Sequence, residues 1–144
     1  MYSNIVWGNC SSHSLQKLFL LQKRAIRVIT NANYLAHSQP LFKKLKILNI
    51  YDINKVQIAS FMFSYSKQLL PNYFDEYFEY NININKYNTR NANKMYVPFY
   101  HNFSRTTVRF IGPQSWNLLP NDLKDSLTIR FFRKKYKLYL LNSK

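Results

Sequence analysis

Cysteine, glycine and acidic side chains are scarce in this chain of 144 residues: it has one, two and six of them respectively. A lone cysteine, Cys10, excludes an internal disulfide framework and a thiolate cluster for zinc or iron, and makes a reducing, intracellular compartment the expectation. With two glycines, few positions can turn left-handed at no steric cost, so turns are expected to fall to Asn and to the five prolines. Long apolar runs are missing too. The longest, such as Leu18 to Leu21, have four residues, against the roughly 18 that a spanning helix requires, so no membrane partner is expected. Met1-Tyr2-Ser3-Asn4 carries neither the basic stretch nor the apolar core of a signal peptide.

What the chain has in abundance is positive charge and aromatic surface. Lys and Arg number 21, for a formal net charge of +15, and twelve Tyr and eleven Phe lead an aromatic content of 17%. Residues 1–70 carry nine basic and one acidic side chain, 71–85 three acidic and no basic, and 86–144 twelve basic and two acidic. Two basic blocks thus flank an acidic elbow. A surface of this kind repels itself unless a polyanion is near, and nucleic acid is the commonest such partner. Hydrophobic residues at 47% are enough for a folded domain, and a chain of this length can bury roughly 68–70% of its surface.

Periodicity predicts a mainly α fold: a small helical domain of about four to six helices, with room for one short β-hairpin in the 87–110 region. From Ser14 to Thr30, Leu15, Leu18, Phe19, Gln22, Ala25, Ile26 and Ile29 recur at offsets of three, four and seven, with Ser12 or Ser14 as cap and Asn31-Ala32-Asn33 as stop. A short helix is expected to follow Pro40, a residue suited to a first-turn position, with Leu41, Phe42, Leu45 and Leu48 inward. Ile50 to Leu70 is apolar around most of its circumference, the mark of a helix covered on several sides. Gly112-Pro113 is expected to open a helix holding Trp116, and Ser126 or Thr128 to cap a last one reaching about Leu141. The organisation reads as a basic helical subregion over 1–72, an acidic and Asn-rich connection over 73–86, and a C-terminal subregion over 87–144, together one compact domain.

Five blocks, taken in order, resemble the region that follows the polymerase domain in jockey-like non-LTR (LINE-type) retrotransposon reverse transcriptases. They are Asn4-Ile5-Val6-Trp7-Gly8, Leu21-Gln22-Lys23-Arg24-Ala25-Ile26-Arg27, His37-Ser38-Gln39-Pro40-Leu41-Phe42 with Leu45 and Leu48, Tyr87-Asn88-Thr89-Arg90, and Gly112 through Pro120. The resemblance spans Asn4 to Leu141 and implies a parent RNA-directed DNA polymerase with an endonuclease domain, acting in the nucleus, of which this chain is the non-catalytic tail. It further implies the parent polymerase as a partner, and a fragment that continues upstream of Met1 or descends from a decayed element. The paired aspartates of the family's palm have no counterpart; Asp75-Glu76 are the only adjacent acids, and two-metal polymerase chemistry needs more.

No catalytic residue, metal ligand, cofactor or small-molecule substrate is expected. His13, His37 and His101 have no second ligand at metal spacing, and although His37, Ser38 and Asp52 are the residue types of a hydrolytic triad, no nucleophile elbow accompanies them. The candidate site residues are cations: Lys17, Arg24 and Arg27 on the first helix, Lys43 and Lys44 on the second, Arg90, Arg105 and Arg109 among the aromatics, and Arg130, Arg133, Lys134 and Lys137 on the last helix. No acid stands three or four residues from the last four, so the expectation is phosphate contact with RNA or DNA, tolerant of sequence. The structural alternative is a helical extension packed on the polymerase thumb.

Overall fold

The computed structural model describes residues 5, 8–9, 11–84, 90–99 and 106–143. Among them the chain is mainly helical: α1 (Ser12–Ile29), α2 (Ser38–Lys44), α3 (Ile50–Ser66), a 3-10 turn (Asn72–Glu76), α4 (Asn81–Ile84), α5 (Val108–Asn117), α6 (Asn121–Lys124) and α7 (Ile129–Asn142). Five of these run seven residues or longer, while α4 and α6 are single turns. No strand forms among the described residues. One isolated antiparallel bridge, Tyr80 to Met95, takes the place of the hairpin expected in 87–110, and residues 87–89 and 100–105 of that region lie outside the described residues.

Helix α3 is the axis of the fold. Ala59, Met62 and Phe63 on it are fully buried, and the Phe63 ring stacks on Phe132 of α7 with centroids 4.7 Å apart. Trp116 of α5 and Tyr136 of α7 complete the aromatic cluster around Phe132, at 6.3 and 5.9 Å. Buried serines are tolerated because their hydroxyls donate to their own helix, Ser60 to the Val56 carbonyl and Ser64 to that of Ser60. On a third side the acidic elbow packs through its rings: Phe74 and Phe78 meet Phe61 edge-on, and the Tyr65 hydroxyl donates to the Phe78 carbonyl.

Several boundaries differ from the periodicity: α2 starts at Ser38, ahead of Pro40, and α3 ends at Ser66 rather than running to Leu70. Helix α1 is capped by Ser11, whose hydroxyl accepts from the Ser14 amide, rather than by Ser12 or Ser14. Helix α5 begins at Val108, so Gly112-Pro113 sits inside it rather than opening it. The helix survives because Gly112 has no Cβ to clash with the proline ring that follows, and the same lack lets α5 approach α3: a Cβ there would lie 2.6 Å from the Met62 sulfur. Thr128 does cap α7, accepting from the Phe131 amide.

Side-chain amides hold the connections where regular pairing is missing. Gln22 of α1 donates to the Leu48 carbonyl and accepts from the Ile50 amide, bridging to the α2–α3 turn. Asn117 treats Met95 in the same two-way fashion, with bonds of 2.8 and 2.9 Å. An amide side chain that donates and accepts at once satisfies a buried backbone much as a neighbouring strand would.

Candidate nucleic-acid interface

Helix α7 buries Phe132, Tyr136 and Leu140 and so turns the opposite side outward. Arg130, Lys134 and Lys137 are exposed on that side, at offsets of four and three, and Leu141 continues the same face at the next offset of four. Among the described residues ion pairs join Lys55 to Asp52 and Lys135 to Asp122, and neither engages this row. Arg133 differs from its neighbours. It flanks the core, and its Nε donates to the Ser60 hydroxyl at 3.1 Å, which fixes its stem against α3.

The first helix contributes a second group. Lys17 and Arg24 are exposed, whereas Arg27 is partly buried, donates from Nε to the Ala36 carbonyl at 2.9 Å and lies over the Tyr34 ring. Arg27 is therefore engaged in holding the α1–α2 loop. Lys43 and Lys44 occupy the last turn of α2, exposed, where cations also suit the negative end of the helix dipole. Arg90 is exposed, and Arg109 of α5 lies 5.3 Å over the ring of Tyr77, facing the acidic elbow. Arg105 and His101 lie outside the described residues.

Between these groups lies a cavity of about 470 Å³. Its wall is aromatic and aliphatic, with Phe19, Phe42 and Leu141, and its charged groups are Lys23, Lys43 and Asp52. Phe19 and Phe42 stack with ring centroids 6.3 Å apart, and the Lys23 ammonium sits 4.3 Å over the Phe19 ring. Asp52 is only 3% exposed, in the first turn of α3, where its backbone amide donates to the Asn49 side chain. Its charge reaches α7 as well: burial first, and then Asp52, hold the Tyr136 phenol above its ordinary value of 10.0.

Two points escape the sequence pattern. Lys23 was no candidate in sequence terms, yet it joins the cavity to α1; the signal was its spacing of four from Phe19, which places a cation over a ring on one helix face. His37, Ser38 and Asp52 do line the same cavity, but no hydrogen bond joins Ser38 to His37 among the described residues, so no nucleophile–base pair is formed. His37 stands at the N-cap of α2 without a side-chain capping bond. No described helix is long and apolar enough to cross a membrane.

Comparison with family models, with curated proteins and with solved structures finds no match for the chain.

Proposed function

We propose that the chain is a non-catalytic, sequence-tolerant nucleic-acid-binding module of the kind that follows the polymerase in jockey-like non-LTR retrotransposons, where it helps the parent reverse transcriptase hold template RNA or target DNA. The observation that carries this reading is the row Arg130, Lys134 and Lys137: three exposed cations on one face of a well-packed helix, none in an ion pair among the described residues. Phosphates spaced along a backbone match such a row, and association gains from counterion release. Changing the three to Gln keeps helix propensity and leaves the core untouched. The slope of log affinity against log salt is then expected to flatten by about 2.7 on duplex and about 2.1 on single strands. Identical slopes for the two proteins would show that this face is merely hydrated.

A second reading is favoured by α1. Leu18, Leu21, Val28 and Ile29 stand exposed on it, at 43, 58, 80 and 66%, at spacings that put them on one side. In this reading the chain is a structural extension of the parent polymerase, and the apolar row of α1 packs on the thumb. Retained salt slopes in the triple Gln variant, together with tight, salt-insensitive association with the parent polymerase domain, would favour it over the first.

A further inference from the structure

Helix α7 carries a second exposed row that phosphate contact does not call for, since phosphates need cations alone. Phe131 and Leu138, seven residues apart on one face, are 55 and 48% exposed, and Leu127 stands exposed just ahead of the Thr128 cap. Single exposed apolar residues are ordinary; a row of them beside cations is not. Lys134 lies three residues past Phe131 and four before Leu138, so it borders the apolar row while belonging to the cation row Arg130, Lys134, Lys137. On the opposite border Lys135 is engaged: its ammonium pairs with the Asp122 carboxylate at 2.6 Å and donates to the Asp122 carbonyl at 2.8 Å. An anion is thus drawn to one side of the apolar row only. The Phe131 ring has no ring partner among the described residues, whereas Phe132, Tyr136 and Tyr139 of the same helix do. Its backbone is fixed all the same, because its amide donates to the Thr128 hydroxyl at 3.3 Å.

We propose that the outer face of α7 is a stacking platform for single-stranded nucleic acid: the sugar-phosphate backbone follows Arg130, Lys134 and Lys137, and one unpaired base lies on the Phe131 ring between Leu127 and Leu138. This rests on the nucleic-acid reading above and narrows it to single strands. A duplex keeps its base faces inside its own stack and has none to offer an exposed ring. An unpaired base has a free face, and laying it on Phe131 removes both surfaces from water. Every base has such a face, so the platform selects unpaired over paired rather than one base over another. The one-sided charge sets the orientation, with the backbone on the Arg130 side and away from the Asp122 carboxylate, which repels it. A lipid surface fits the face less well. A helix that enters a bilayer buries its main apolar side, and that of α7 is already taken, Phe132 being packed on Phe63 of α3 and Trp116 of α5.

The test uses the full chain and a fluorescein-labelled nonamer of mixed sequence in three forms: single-stranded, single-stranded with every base replaced by an abasic site, and paired in a duplex. The two single strands carry the same charge, so phosphate contact alone binds them alike. The base-bearing strand is expected to bind tighter than the abasic one by about fivefold or more, the low end of what one stacked base contributes. Phe131→Ala should reduce that preference to under about twofold, with affinity for the duplex and the salt slope on single strands unchanged. Phe131→Tyr should keep the preference, and Phe131→Leu, which retains an apolar side chain without a flat face, should lose it. Should Phe131→Ala fail to fold, the contrast between the Tyr and Leu variants decides. Equal affinity for base-bearing and abasic strands, or a preference that survives loss of the ring, would overturn the proposal. Equal affinity joined to Phe131-dependent attachment to phosphatidylserine vesicles would give the face to a lipid surface instead. Each of those results leaves the effect of Arg130, Lys134 and Lys137 on the salt slope intact, so failure of the stacking platform and failure of the phosphate-binding reading are separately visible.

Discussion

Helices α1 and α3 are similar in length, yet they stand at opposite ends of the packing scale. Helix α1 has a pronounced polar side and apolar side, and its buried apolar residues are Leu15 and Ile26, with Phe19 and the bridging Gln22 partly covered. Helix α3 has almost no sidedness and carries Val56, Ile58, Ala59, Met62 and Phe63 buried around its circumference. A sharp amphipathic pattern thus marks the helix that is covered on one flank, and its blurring marks the helix covered on all of them. The difference separates a centre, built from α3, α5 and α7, from a periphery, built from α1 and α2, and the cavity lies along the seam.

The largest effect is expected at the centre. Phe132 has 0% exposure and touches Phe63, Trp116 and Tyr136, so Phe132→Ala should cost about 3–5 kcal/mol, a large part of the roughly 5–15 that hold such a domain together. Chemical denaturation followed by far-UV circular dichroism measures it. A loss below about 1 kcal/mol would show that the aromatic cluster is not where stability resides. Gly112→Ala probes the same interface from the other side, since the added methyl must push Met62 away.

At the periphery, Ile26 and Leu18 divide the α1 stripe that periodicity treats as uniform. Ile26 is 2% exposed and Leu18 43%, so Ile26→Ala should cost about 2–4 kcal/mol and Leu18→Ala less than about 1. Equal losses at the two positions would mean that the outer row of α1 is covered after all, by a second molecule if the losses depend on protein concentration.

These cases show what the sequence makes legible. Element type and approximate position follow from periodicity and caps: Thr128, the stop at Asn31 and the central placement of α3 are all readable, because each depends on neighbours within a turn or two. What periodicity cannot separate is Leu18 from Ile26, or Arg133 from Arg130, because those differences come from an element distant in sequence: the Ser60 hydroxyl that holds Arg133 is 73 residues away. The start of α5 was hidden by Gly112-Pro113, a pair that usually breaks helices and is tolerated here because Gly112 has no Cβ, which also leaves room for Met62 of α3. The cation row of α7 was readable residue by residue. The cavity was not, since its lining comes from four helices and its aromatic wall reads in sequence as ordinary core.

Alkaline titration sharpens the comparison because two of the phenols held up by burial, Tyr65 and Tyr136, belong to the centre. Tyr65, Tyr80 and Tyr136 all lie above their ordinary 10.0, each chiefly through burial. A group whose folded value is raised leaves stability intact below the unfolded value. As pH climbs past about 10 the unfolded chain ionises first, and stability falls until the folded value is passed. Lys124 acts in the opposite sense, its ammonium pushed down by burial and then by Lys94, so that deprotonation is easier in the folded chain. Tyr77 is raised as well, chiefly by its hydrogen bond with Tyr73, so with four phenols against one ammonium denaturation midpoints should drop as pH rises above about 10, and Tyr136→Phe should drop less steeply. Midpoints that stay flat over that range would show these rings to be hydrated.

The smallest effect tests whether centre and periphery melt together. Helices α1, α2 and α3 each end in the same way, with a residue just past the cap in the left-handed region: Asn31 at φ 49°, Lys46 at φ 53° and Gln68 at φ 55°. In each the backbone bonds close the helix, as where the Lys46 amide donates to the Lys43 carbonyl and the Ile47 amide to that of Phe42. Asn tolerates this region, but Lys and Gln bear a steric cost of roughly 1–2 kcal/mol, which Gly removes at an entropic cost of about 0.5–1. Gln68→Gly, at the end of the central helix, should therefore raise global stability by about 0.5–1 kcal/mol, or roughly 2–3 °C in melting temperature, and Asn31→Gly should change little. Lys46→Gly relieves the same strain at the end of α2. If α1 and α2 detach before the centre unfolds, its gain will appear only as slower amide hydrogen exchange within α2, with the global melt unmoved. Equal shifts of the global melt for Lys46→Gly and Gln68→Gly would show instead that the cap of the peripheral helix and the cap of the central one belong to a single cooperative unit, and that the seam along the cavity is no mechanical boundary.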